Sequence, residues 1–513
     1  MTETASPRRF ATLRRALAPE RLHPRRIGVG LVQAWRWLRA SVLWKHWRLI
    51  FAVVGLSIFS GYATAILEQN ALYIAVGLLL SAFILIDFRV GAIALIIMMP
   101  ISGSNIFPHE LLGIKGLNPI NFVLLSTLFS FGARRMFVRS NYKFFPRELW
   151  FYVLPIAVAA AIGAQHFDEI PGFMLADAEF SDAQGFVRDL FIKPMFLVLF
   201  ALIVGAAVAE TRRAETFLIV GFASVWIMVI TAVGFFLVSG VSIGDISGSE
   251  SRGFFSPIGF HANGLGRLMA VAFALALFSA MAYRSDFSRA MVWLTAGMAA
   301  LSTMLTFSRG SFLVLLTIGA IYVLALKRDR MFLVLAVVLP ILLLAMPRAV
   351  YDRISFGLGG ESIDLNTVSS DRTAQIWEPL IPEIFDSPII GHGLSSILWS
   401  DALKSGAISP VTHPHNAFLK ALLDTGLVGT VLTLIFFWQL WKRMRDLSRD
   451  QLLDPVMRGF FAGAAAAMVG FGVGGIAGSA FDPVIEQVFL WFAIGIMYGV
   501  SGIRQELKEN RLG

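Results

Sequence analysis

The chain has 513 residues, of which 57% are hydrophobic and 15% charged, with a mean hydropathy of +0.71, a composition that excludes a soluble globular enzyme. Its formal charge of +9 is confined to one end: residues 1–48 hold 11 basic and 2 acidic side chains, and the remaining 465 residues balance at 32 of each. With no cysteine in the chain, disulfides and thiolate metal sites are excluded as well.

Residues 1–48 read as a basic cytoplasmic arm that includes an interfacial helix. No short apolar core with a small-residue cleavage site follows the first arginines, so the arm is expected to stay attached. Trp35, Trp37, Trp44 and Trp47, interleaved with arginine just before the first long apolar run, suit the headgroup boundary of a membrane. Cations placed there meet anionic lipid before they meet nucleic acid, and no nucleic-acid partner is expected.

A membrane-spanning helix needs about 20 mostly apolar residues, because lipid offers no partner for backbone N–H and C=O groups. Eleven such segments are predicted within 49–346, at 49–67, 71–86, 90–106, 119–133, 149–164, 190–209, 216–239, 264–283, 291–307, 310–326 and 331–346. Three more lie within 417–513, at 419–441, 459–477 and 487–503, followed by a cytoplasmic tail. The predicted fold is an all-α polytopic membrane protein with about 12–14 transmembrane helices. An even count puts both termini on one side. With that side cytoplasmic, 32 of the 43 basic residues fall inside, which is the positive-inside bias.

Eleven basic residues escape that bias: Lys115, Arg188, Lys193, Arg252, Arg267, Arg309, Arg348, Arg353, Arg372, Lys404 and Lys420. They need a reason other than topology. Three outer segments are long enough to do work, 165–189, 240–263 and the large loop 347–416. Within that loop the spacing of Trp377, Leu380, Ile381 and Phe385 predicts a helix over 373–385 whose apolar face rests on the membrane domain.

The densest polar constellation is Thr412-His413-Pro414-His415-Asn416, followed by Asp424-Thr425-Gly426-Leu427-Val428-Gly429-Thr430. His415-Asn416, nine residues, then Gly426-x-x-Gly429-Thr430 resembles the signature of the bacterial O-antigen ligases and related Wzy-type polysaccharide polymerases. Further motifs follow in the family's order: Ser251-Arg252-Gly253-Phe254-Phe255-Ser256-Pro257 with Asn263, Thr306-Phe307-Ser308-Arg309-Gly310, Ser370-Asp371-Arg372 with Trp377, and Pro388-x-x-Gly391-x-Gly393. One departure is at 256–263, where the family has Pro-Asn and this chain has Ser256-Pro257 well ahead of Asn263.

The resemblance implies a GT-C-like bundle in the bacterial inner membrane, with 347–416 as a large periplasmic catalytic loop. It implies transfer of a glycan from a polyprenyl diphosphate to an acceptor hydroxyl on the periplasmic side. Lipid A-core as acceptor would make it an O-antigen ligase. A second lipid-linked repeat would make it a polymerase, and a protein hydroxyl an oligosaccharyltransferase; a lipid-linked glycan transporter is the non-enzymatic alternative. No cofactor is expected, since the donor arrives activated, and no metal ion, since arginines can do the charge work.

The residue types fit that chemistry. Negative charge grows on a diphosphate leaving group, and arginine meets it bidentately without losing its own charge. Arg309, Arg372 and Arg252 are the candidate donor-binding residues. A neutral histidine can take the acceptor's proton, and His415 is the candidate catalytic base, with Asn416, Gly426 and Gly429 in support. Each has a plainer rival. His413 reads as a capping or solvent-facing residue, and His261 and His392 rank below it. Arg348 and Arg353 suit pairing with Asp352 or a headgroup, and Lys193 and Arg267 are either packing elements or donor-site charges. Asp177-x-Glu179 has metal-ligand spacing but reads better as part of a solvated acidic loop.

Overall fold

The computed structural model describes residues 53–55, 69–108, 110–111, 114–116, 118–137, 142–176, 178, 180–242, 245, 253–326, 366, 369, 371–478 and 481–512. The basic arm and the predicted spans 49–67 (apart from 53–55) and 331–346 lie outside the described residues. The chain divides into two compact units, Met1–Leu80 and Ser81–Gly513. The site belongs to the second.

The principal helices are α1 (Gln69–Ile86), α2 (Phe88–Met98), α3 (Pro119–Phe137), α4 (Trp150–Gln165), α5 (Lys193–Thr211), α6 (Ala214–Val238), α7 (Ala262–Ala280), α8 (Asp286–Met304), α9 (Arg309–Ala325), α10 (Glu378–Asp386), α11 (Ala417–Ser448), α12 (Pro455–Gly475) and α13 (Val488–Leu512). Among the described residues the only strands form a hairpin of two residues each, Glu110–Leu111 with Ile114–Lys115. Among the described residues, seven segments are long and apolar enough to cross a membrane: Arg147–Gln165, Ala183–Thr211, Ala214–Val238, Ala262–Ala280, Ala417–Ser448, Pro455–Gly475 and Ile485–Glu506. The protein is an all-α polytopic membrane protein.

The bundle closes through small residues. Lipid tails are as apolar as leucine, so spanning helices gain most where their backbones approach closely. On α12, a Cβ added at Gly459 would lie 2.5 Å from the Phe278 carbonyl of α7, and one at Gly463 would lie 2.4 Å from that of Ala274. On α13, Gly495 and Gly499 meet the Ala201 and Gly205 carbonyls of α5 in the same way, at 2.5 and 2.6 Å. Both pairs have the Gly-x-x-x-Gly spacing that puts two glycines on one helix face. α7, enclosed by α8, α9 and α12, is the most deeply buried helix of this group.

Two of the three long segments expected on the outer side fold together. Ile170, Met174, Phe180 and Phe186 from 165–189 share one hydrophobic core with Ile376, Leu380, Ile397, Leu398, Trp399 and Leu403 from the large loop and with Leu419 and Leu423 of α11. The helix expected over 373–385 is there in altered form: a π-turn over Thr373–Trp377 precedes α10. The extra residue of a π-turn shifts the helical phase. Ile376 and Leu380 therefore point into the core, whereas Ile381 and Phe385 are 45% and 73% exposed.

Candidate active site

The site is built where α11 begins. Asn416 caps that helix, its Oδ1 accepting from the N–H groups of Phe418 (3.0 Å) and Leu419 (3.1 Å). His415 precedes it with φ 55°, in the left-handed region that a non-glycine residue enters only when its surroundings hold it. Two contacts hold this turn. The His415 N–H donates to His413 Nδ1 (3.2 Å), and the indole N–H of Trp377 donates to the Pro414 carbonyl (2.8 Å). The two imidazoles lie at 4.1 Å between centroids, nearly perpendicular.

Because His413 Nδ1 accepts a hydrogen bond, the neutral ring carries its proton on Nε2. Burial, together with the charges of Lys420, Arg267, Arg372 and His261, pushes this imidazole down to about 4. His413 is thus half-buried and caps the turn through Nδ1, as one of its two expected roles has it, rather than facing solvent. The groups whose charges act on it come from three elements: Arg372 from the large loop, Arg267 and the N-cap His261 from α7, and Lys420 from α11.

Arg309 is the first residue of α9, whose start is fixed by Ser308 Oγ accepting from the Ser311 N–H. Ser311 Oγ donates to the Asn263 carbonyl (3.2 Å), so the N-termini of α9 and α7 lie side by side. The N–H groups exposed at such termini favour anions.

Beneath His415 sits a buried ion network. Lys420 Nζ bonds Asp424 and Asp482 Oδ2 (2.6 Å), and Asp424 Oδ1 also accepts from Ser396 N–H (3.0 Å) and Oγ–H (2.9 Å). Arg267 pairs with Glu486 through Nε (3.0 Å) and Nη2 (2.5 Å). The four-residue spacing of Lys420 and Asp424 is a signal in the sequence; Asp482 and Glu486, from the turn before α13, carry none.

The glycine motifs meet one turn further along. At Gly426 (φ 62°, ψ −170°) α11 breaks, and the Leu427 and Val428 N–H groups lose the carbonyls of Leu423 and Asp424. The loop 387–394 replaces both bonds. Leu427 and Val428 donate to the carbonyls of Pro388 (2.8 Å) and Ile389 (3.1 Å), while His392 and Gly393 donate to those of Leu423 (2.7 Å) and Asp424 (3.0 Å). A Cβ at Gly391 would lie 2.5 Å from the Gly426 nitrogen, and one at Gly426 would lie 2.4 Å from the Ile389 carbonyl carbon. Gly429 lets α11 approach Pro155 of α4, where a Cβ would stand 3.2 Å from the proline's own.

Other expected residues lie elsewhere. His392 Nε2–H donates to the Glu383 carbonyl (2.7 Å), tying the loop to α10, and Lys193 pairs with Asp189 at 2.6 Å. Arg252, Arg348, Arg353, Asp177 and Glu179 lie outside the described residues. A comparison with curated proteins found no match. Residues 290–434, from within α8 to the first half of α11, match the family described as O-antigen ligase (Wzy_C). Arg309, Arg372, the paired glycine motifs and His415 all fall within that stretch, and the match supports the resemblance to the O-antigen ligase and Wzy-type superfamily.

Proposed function

We propose that the protein transfers a glycan from a polyprenyl-diphosphate-linked donor to an acceptor hydroxyl at the periplasmic face of the bacterial inner membrane, and that the reaction is O-antigen ligation to lipid A-core. The observation that carries this reading is the match of residues 290–434 to the O-antigen ligase family, within which Arg309, Arg372 and the His413–His415 turn fall. Arginine suits a diphosphate, whose oxygens its guanidinium meets bidentately.

In this reading the acceptor oxygen attacks the anomeric carbon as the bond from that carbon to the phosphate oxygen breaks, and the bonding pair leaves on the diphosphate. Arg309 and Arg372, with Arg252, meet that growing charge. His415 takes the acceptor's proton, a contribution of about 10²–10⁴-fold. His413 holds the His415 backbone in its strained turn, and Asn416 fixes where α11 starts. Gly426 and Gly429 let that helix bend and pack behind the site.

The test is transfer in vitro from purified lipid-linked donor, with lipid A-core, a second lipid-linked repeat or a serine-containing peptide offered separately as acceptor. Ligation to lipid A-core is the expected outcome, lost in His415→Ala. Turnover intact in that variant would overturn the base assignment. Selective use of either of the other acceptors would replace ligation with polymerisation or protein glycosylation.

A further inference from the structure

We infer that residues 387–394 form a re-entrant segment embedded in the membrane, with Ile389, Ile390 and the neighbouring Phe385 in contact with the lipid acyl chains of the leaflet nearer His415. The inference does not depend on the proposed reaction.

Two independent rulers place the segment below the membrane surface. On α11, the stacked pair Trp438 and Trp441 beside Lys442, Arg443 and Arg445 marks the opposite boundary. Val428 is 13 residues from Trp441, or about 20 Å at 1.5 Å per residue, against a hydrocarbon thickness of about 30 Å. Ile389 is hydrogen-bonded to Val428, and so shares that depth. On α4, the Leu394 N–H donates to the Ala159 carbonyl (2.7 Å). Ala159 lies six residues, or about 9 Å, below the helix end at Gln165.

Non-helical backbone survives at that depth only when its polar groups are satisfied. Here they are. The exchange with α11 takes up the N–H groups of His392 and Gly393 and the carbonyls of Pro388 and Ile389, while Gly391 N–H and carbonyl bond the Ser387 carbonyl (3.1 Å) and Oγ (2.8 Å).

The side chains then face outward. Ile389 and Ile390 are 64% and 58% exposed, Leu427 and Val428 beside them 58% and 52%, and the same apolar surface continues along α11 through Val431, Leu434 and Trp438. It is therefore continuous with the lipid-facing side of a spanning helix. Asp386, exposed at the end of α10, keeps that end at headgroup level, so insertion deepens from Phe385 towards Ile389.

The cysteine-free chain allows a direct test. Full-length Ile389→Cys, Ile390→Cys and Phe385→Cys proteins would be labelled with an environment-sensitive fluorophore and reconstituted in nanodiscs containing doxyl-labelled phosphatidylcholine. Leu434→Cys serves as the lipid-facing reference and Asp401→Cys as the aqueous one, with elution as a single monodisperse species confirming each fold. Labels at 389 and 390 should be quenched by doxyl lipid to the extent seen at 434 and be protected from iodide, with 385 quenched most by doxyl near the headgroup. Iodide quenching at 389 and 390 matching that at 401, or protection from both quenchers, would overturn the inference.

Discussion

At one end of the bundle, Arg134, Arg212 and Arg443 join neighbouring helices through Glu210, Glu506 and Glu148, with the arginines 37%, 56% and 43% exposed and the glutamates 16%, 32% and 8%. At the other end the Lys420–Asp424 pair is 10% and 4% exposed, and Arg267 and Glu486 are 13% each. Half-exposed pairs are screened by water and salt, and contribute little beyond orientation. Buried pairs have given up their hydration and are locked to one another, so removing one partner strands the other. Charge at the first end serves threading, whereas charge at the second is fixed in place around the His413–His415 turn.

Several substitutions would break or sharpen that contrast. The largest effect is expected from Arg309→Ala and Arg372→Ala, which should lose glycan transfer while eluting and unfolding like the parent; unchanged donor affinity and rate would remove both from the donor site. Next comes Lys420→Met, which leaves Asp424 and Asp482 without their cation and should cost about 3–5 kcal/mol, read as a lowered Tm in detergent. An unchanged Tm would mean the buried network is not holding the helix.

Acidification should have a smaller effect. His413 has a folded pKa below its unfolded one, so the folded state binds fewer protons between the two values. Stability is then full above about 6.5 and falls as pH drops towards about 4. His413→Asn should flatten that part of the pH–Tm profile, and a parallel decline in both proteins would assign the acid sensitivity to another group. At the exposed end, Arg212→Ala should change stability by less than about 1 kcal/mol. A loss as large as that from Lys420→Met would erase the distinction between the two ends.

Hydropathy alone located all seven long spans found among the described residues, with the start of Ala183–Thr211 and the end of Ala417–Ser448 missed by seven residues and the other ends within a few, because a segment in lipid must satisfy its own backbone and so must be a long apolar helix. The face of the 373–385 helix was only half legible, since a π-turn that periodicity does not register rotates it by part of a turn. The close approaches of Gly459 and Gly463 to α7 were written in the sequence as a Gly-x-x-x-Gly spacing, but not which helix they would meet.

What the sequence by itself determined is local or cumulative: the spans, the charge bias between loops, and the order of motifs around His415. Only the tertiary structure decided that Gly391 and Gly426, 35 residues apart, are two halves of one backbone exchange. The pairing of Lys420 with Asp482, and the low proton affinity of His413, were settled at the same level. The physical reason is shared. A hydrogen bond, a desolvated ion pair and a shifted pKa all depend on which distant groups displace water from one another, and that is set by packing.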